Sequence, residues 1–162
     1  MNFDLHFNEI AKNLGFDISE EIKIGGKYTS LIEHNGLAYI SGQIPRIGDT
    51  VQIIGRVGDE VDLSQAQLAA QISTIRALAI LKQHYGSLNI VEKILQMNVF
   101  VHCASTFTQH SEVSDGASEV LYKIFGLELG KHTRTSVGAN QLPKNASVEI
   151  NFIIALNSIK NE

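Results

Sequence analysis

The sequence predicts an α+β fold: a mainly antiparallel sheet with two helices on one face and a short helix at the N-terminus. Three observations carry this reading. An Asn-Gly pair at 35–36 separates two β-like runs, two long stretches of helical periodicity each stop at a glycine, and a C-terminal run alternates residue by residue. The 162 residues, 44% hydrophobic and 19% charged, are enough to bury one core. They are read as a single domain over 1–162, with 1–20 as an N-terminal helical extension.

That extension contains "FDLHFNEIAKNLGF", where Leu5, Ile10 and Leu14 fall near one side of a helix that Gly15 ends. "KYTSLIEHNG" and "LAYISGQIP" are rich in β-branched and aromatic residues, and Asn35-Gly36 supplies the tight turn of a hairpin. "TVQIIGRVG" adds a third strand. The next helix starts at a cap on Asp62 or Ser64 and ends at Gly86. Within it Leu68, Ile72, Ile75 and Ala79 recur at helical spacing, and Leu78 and Leu81 widen the stripe.

In "ILQMNVFVHCAS", Leu95, Met97, Val99 and Val101 alternate with Gln96, Asn98 and Phe100, which is the period of a strand. "SEVSDGASEVLYKIFG" sets Val113, Ala117, Val120, Leu121 and Ile124 inward on a second long helix that closes at Gly126. Two strands then flank Leu142-Pro143-Lys144-Asn145. In the last, Val148, Ile150, Phe152, Ile154 and Leu156 share one face, and Glu149, Asn151, Ile153 and Ala155 the other. Isoleucine and alanine on that second face lead us to expect that the sheet side without helices meets another subunit of a homo-oligomer.

Composition narrows the function. With 13 basic and 17 acidic residues the formal charge is −4, and no Lys/Arg run is visible, so a nucleic-acid partner is not expected. No apolar run reaches the length of a membrane span, and the N-terminus lacks the pattern of a secretory signal, so a cytoplasmic protein without membrane contact is expected. The one cysteine, Cys103, has no disulfide partner, and its neighbour His102 points to the opposite strand face, which favours a buried structural thiol over a nucleophile. None of the six histidines has the spacing or carboxylate company of a metal site, so no metal is expected. "DGAS" at 115–118 reads as a helix cap.

"HTRTSVGANQLPKNASVEI" holds the candidate site. In the simplest hairpin register Arg134 stands opposite Glu149, and Ser136 opposite Ser147. Two readings are open. One is a cross-strand ion pair that fixes register. The other is a ligand site, in which the arginine fork binds a carboxylate through parallel hydrogen bonds and the ionised Glu149 is an acceptor for a water.

"YISGQIP", "FGLELGKHTRTSVGANQLP" and "VEI" stand in the order and spacing of the Rid family (YjgF-like, reactive intermediate imine deaminases). The chain resembles that family from about Tyr28 to Leu156. Its N-terminal helix and "CASTFTQHSEVSDGASEVL" are similar to a divergent branch. The resemblance implies a chorismate-mutase-like (YjgF-like) subunit in a homotrimer with clefts between neighbours. It further implies cofactor-free hydrolysis of small 2-imino or enamine acids to keto acids and ammonia, so that the partner is a small carboxylated metabolite.

By position, the resemblance makes Arg134 the carboxylate-binding residue and Glu149 the water-positioning catalytic residue. Tyr28 lines the cleft, with Lys27 in place of the usual proline. Ser136 stands where the family usually has cysteine, and Ser118, with Asp115 nearby, where asparagine is often found. Gly138 leaves room for a ligand or backbone, and His132 is placed to tune charge in the same cleft. Two other functions are carried alongside: a non-catalytic trimeric keto-acid binder, and the endoribonuclease activity attached by name to some members, which the acidic composition disfavours.

Overall fold

A computed structural model describes residues 2–158. In chain order the elements are α1 (Phe3–Asn13), β1 (Leu31–His34), β2 (Leu37–Gln43), β3 (Arg46–Ile47), β4 (Thr50–Val51), α2 (Leu63–Tyr85), β5 (Val91–His102), α3 (His110–Leu129), β6 (Thr133–Ala139) and β7 (Val148–Leu156). Five strands form one sheet in the order β1-β2-β7-β5-β6, and β3 pairs with β4 separately. α2 packs on β2 and β7, α3 on β5 and β6, and α1 crosses both helices. This is the α+β layer the sequence predicts.

The helices follow their sequence signals. Asp62 and Gln65 form a reciprocal capping box at the start of α2, and Gly86 ends it in the left-handed conformation at φ 83°. The stretch Ile72 to Leu81 is buried throughout, because α2 is enclosed between the sheet and its neighbours. Leu68, expected inward, is exposed on the first turns.

α1 is pinned to this core. Phe3 meets Phe125 edge to face at 5.1 Å. The Asp4 carboxylate accepts from Lys82 Nζ at 2.9 Å, Ser87 Oγ at 2.5 Å and the Leu88 N–H at 3.0 Å. Burial raises the Asp4 pKa, but these donors outweigh it and hold the carboxyl below its ordinary value. The buried face of α1 is Phe3, Phe7 and Ala11, one residue every helical turn. Leu5, expected inward, is 63% exposed.

Four further expectations are corrected. "TVQIIGRVG" does not make a sheet strand: Thr50–Val51 pair with Arg46–Ile47, Ile54 and Val57 form isolated bridges to Ala146 and to Val61 and Cys103, and positive φ at Ile53, Gly55 and Gly58 breaks the run into turns. In β5 a register shift between Ile94 and Gln96 gives the buried slot to Ile94 instead of Leu95. At Gly126 the second long helix kinks (φ 75°, ψ 178°) and runs on to Leu129.

The last correction bears on function. β6 and β7 do not form a hairpin: β6 runs parallel to β5 at the sheet edge, while β7 lies antiparallel between β2 and β5. Parallel neighbours need a long crossover, and α3 supplies it between β5 and β6. Sequence chemistry agrees with the placement, since a strand exposing Thr133, Thr135 and Val137 tolerates an edge, whereas β7 has one wholly apolar, buried face and a second that is half apolar and only partly exposed, and belongs inside. Arg134 therefore pairs with Met97, and Glu149 with Phe100; neither Arg134–Glu149 nor Ser136–Ser147 is a cross-strand pair.

Candidate functional site

The edge strand and the helix above it build the first half of the site. Two strand residues advance about 6.6 Å and four helical residues about 6.0 Å, so a strand and an antiparallel helix can stay in step over several rungs. Here Arg134, Ser136 and Gly138 of β6 meet Ser118, Ser114 and His110 of α3. Arg134 Nη1 donates to Ser118 Oγ at 2.9 Å, and the hydroxyls of Ser136 and Ser114 bond at 2.6 Å. Above Gly138 the His110 ring and the Cys103 sulfur lie 2.9 and 3.1 Å from where a Cβ would stand, so this rung closes only over glycine.

Arg134 is held by α3 and not by Glu149. Its Nη2 donates to Ser111 Oγ at 2.8 Å and to the Ser111 carbonyl at 3.2 Å, and it lies 2.7 Å from Asp115 Oδ1. Ser118 connects the guanidinium to His132, whose Nε2 is 2.9 Å away, while His132 Nδ1 is 2.7 Å from the Gly130 carbonyl. A carbonyl only accepts, so Nδ1 carries a proton. In the neutral ring Nε2 then accepts from Ser118, whose oxygen accepts from Arg134. The chain of bonds fixes the guanidinium while leaving it about one quarter exposed.

The second half lies elsewhere. Glu149 and Tyr28 line a cavity of about 230 Å³ together with Lys23, Arg46, Arg76 and Lys144. A register shift in β2 between Ile40 and Gln43 brings Gly42 beneath the Glu149 side chain. A Cβ on Gly42 would collide with the carboxylate, so the carboxylate reaches this place only because residue 42 is glycine. Burial pushes the Glu149 pKa above the ordinary 4.5, with no cation or hydrogen-bond donor among the described residues offsetting it.

The two halves lie on opposite faces of one sheet. Arg134, Met97 and Phe152 form one row across β6, β5 and β7, on the helix side where Met97 and Phe152 are buried; Glu149 pairs with Phe100, three residues along and on the open side. So the structure joins Arg134 with Ser118, Asp115 and His132, and Tyr28 with Glu149, but brings the two groups together nowhere within one chain. Ser136 spends its hydroxyl on Ser114.

Sequence reasoning missed Ser111, Ser114, Gly42 and Arg76. Only Arg76 left a signal: an arginine inside the otherwise apolar "STIRALAIL" of a buried helix. Cys103 is partly exposed, and its partner is His110 Nε2 at 3.3 Å, not the adjacent His102. Burial raises the Cys103 pKa, with Arg56 pulling against it. His102 is buried, and among the described residues neither ring nitrogen has a hydrogen-bond partner.

A family model described as "YjgF/chorismate mutase-like, putative endoribonuclease" matches residues 11–156. The protein TCP17 of Trypanosoma cruzi is 29% identical over 147 residues, which is 91% of this chain and 92% of that one. The crystal structure of Atu1372, a protein of unknown function from Agrobacterium tumefaciens, superposes with a TM-score of 0.84 at 31% identity, covering 96% of both chains. RidA from the Antarctic bacterium Psychrobacter sp. PAMC 21119 shares the fold, with a TM-score of 0.55 at 22% identity over 83% of this chain and 92% of that one. Among the described residues no helix is long and apolar enough to cross a membrane.

Proposed function

The chain belongs to the YjgF/chorismate mutase-like (Rid) family, and from that premise we propose that it hydrolyses small 2-imino acids and their enamine tautomers to 2-keto acids at clefts between subunits of a homotrimer. The observation that carries the reading is the unpaired Glu149 carboxylate in the Tyr28 cavity, whose proton affinity burial has raised. A carboxylate so placed is a base for a water molecule. Arg134, held by α3 at the cleft, takes the substrate carboxylate.

The step balances without a cofactor. Glu149 receives a proton as water oxygen bonds to the C=N carbon, and the iminium C=N π pair moves to nitrogen. Protonated Glu149 then gives its proton to the carbinolamine amine, and the C–N bond breaks with its electron pair leaving on ammonia. The hydroxyl gives its proton back to the Glu149 carboxylate as the C–O bond becomes a carbonyl, and ammonia takes that last proton and restores the base. Water plus iminium thus gives keto acid plus ammonium. The Tyr28 ring walls the cavity, and its hydroxyl is a donor for the substrate's polar end. Ser118 and Asp115 position Arg134, and Ser136 supports α3 through Ser114.

Two observations favour an assembly. Arg134 and Glu149 lie on opposite sheet faces, so a small acid that touches both must take them from two copies. On the open face Ile32, Tyr39 and Ile153 form a row across β1, β2 and β7, with Ile32 and Tyr39 57% and 44% exposed. An RNA substrate is disfavoured by the net charge of −4, which offers no basic track for a phosphate backbone.

The test generates 2-aminoacrylate or 2-iminobutyrate in situ from serine or threonine with a dehydratase and follows keto-acid and ammonia release. Wild-type protein should accelerate release, and Arg134→Ala and Glu149→Gln should not. No acceleration with any 2-imino acid would overturn the enzymatic reading; retained binding of 2-oxobutyrate in that case would leave a metabolite-binding protein.

A further inference from the structure

The Tyr28 cavity contains a charge that the hydrolysis does not use. Arg76 is only 6% exposed and projects from the middle of α2. Its Nε donates to Gln43 Oε1 at 2.9 Å, Nη1 to the Arg46 carbonyl at 3.3 Å and Nη2 to the Lys23 carbonyl at 3.0 Å. All three acceptors are neutral. Such bonds satisfy donors but do not neutralise a buried positive charge, which normally has an anion beside it.

The surroundings add to the imbalance. Lys23, Arg46 and Lys144 line the same cavity, and its one acid is Glu149, which the hydrolysis uses as base. Among the described residues the buried Nε of Arg46 has no partner, and Arg46 forms an ion pair at 3.5 Å with the exposed Asp49. Asp17, Glu20, Glu21 and Asp49 border a second cavity that also reaches Arg76, but none forms an ion pair with it. Burial and then the nearby Arg46 lower the Arg76 pKa, while the phenol of Tyr28 opposes them. A guanidinium remains charged under such pressure.

We propose that this cavity receives a second anionic group of the substrate, so that the preferred substrates are short dicarboxylic 2-imino acids whose distal carboxylate lies on Arg76. This rests on the hydrolytic reading above, in which the first carboxylate goes to Arg134 of the neighbouring subunit. Arg76 shares the cavity with Tyr28 and Glu149 and is a specificity residue, not part of the chemical step. Arg46 and Lys144 add favourable potential at the cavity, and Gln43 and the two carbonyls hold the guanidinium plane in place.

The experiment is calorimetric titration of the full chain with 2-oxoglutarate and with 2-oxopentanoate, which has the same carbon chain with a methyl in place of the distal carboxylate. Wild-type protein should bind the dicarboxylate at least about tenfold more tightly, with a preference that shrinks as salt is added. Arg76→Met should bring the two ligands to parity. Lys144→Gln, on the exposed turn before β7, should cut the preference about threefold and guards against a folding failure of the buried variant. Equal wild-type affinity for the two acids would overturn this inference and leave the hydrolytic reading standing. Binding of neither would also overturn it, and the hydrolytic reading is then decided by the release assay with 2-imino acids.

Discussion

Replacing Gly42 with alanine tests how the base is placed. The new Cβ would lie 2.9 Å from Glu149 Cδ and 3.0 Å from Cγ, and would overlap Oε1. Non-bonded carbons rest at about 3.5–4.0 Å, so the end of the side chain must move by at least about 0.5 Å and its oxygen by more. Misplacing a reacting group by about 1 Å costs on the order of 10²-fold in rate. We expect kcat for 2-iminobutyrate, followed as 2-oxobutyrate release, to fall about 10²-fold. The stability loss should stay within the roughly 1–3 kcal/mol typical of one extra methyl group. Glu149→Gln sets the floor, and the double variant should fall no further, because both changes act through one carboxylate. A wild-type rate in a well-folded Gly42→Ala protein would refute this placement.

Three predictions concern pH. The Glu149 pKa is raised in the folded state, and the group acts as a base only when ionised. kcat/KM should therefore rise with pH through a midpoint above 4.5, and this acid limb should vanish in Glu149→Gln. A raised carboxylate pKa also means that ionisation opposes folding, so Glu149→Gln should melt higher than wild type at neutral pH, and the gap should close below about pH 4.5. For Asp4 the sign reverses: its folded pKa is depressed, so its contribution is present above the unfolded value near 3.8 and is lost as pH falls through the folded one. Asp4→Asn should cost about 1–3 kcal/mol in urea unfolding at pH 7 and much less below the folded pKa.

Local signals were legible where they were self-contained. Asp62 and Gln65 cap α2 and Gly86 ends it because those interactions lie within a few residues of sequence. The alternation of β7 correctly put Glu149 on the face opposite Val148 and Ile150. What failed was partner choice. Nothing local in "HTRTSV" says that α3 will carry β6 to the far side of β5, so a hairpin register matches Arg134 with Glu149 instead of Asp115, 19 residues earlier. The bulges at Ile94 and Gly42 depend on how strands fit side by side and leave no pattern in one strand alone. Phe3, Phe7 and Ala11 were readable at i, i+4 spacing; Leu5 drew attention because it is apolar, not because it shares their face.

The central claim is that Arg134 and Glu149 serve one small acid across a boundary between two copies, and subunit mixing tests it most directly. Arg134→Ala and Glu149→Gln proteins, each inactive alone, are unfolded together and refolded. If each cleft takes its arginine from one subunit and its glutamate from the next, random assembly gives both native residues in about one quarter of clefts, and about a quarter of wild-type activity should return. No recovery from mixtures that reassemble fully would contradict the shared cleft.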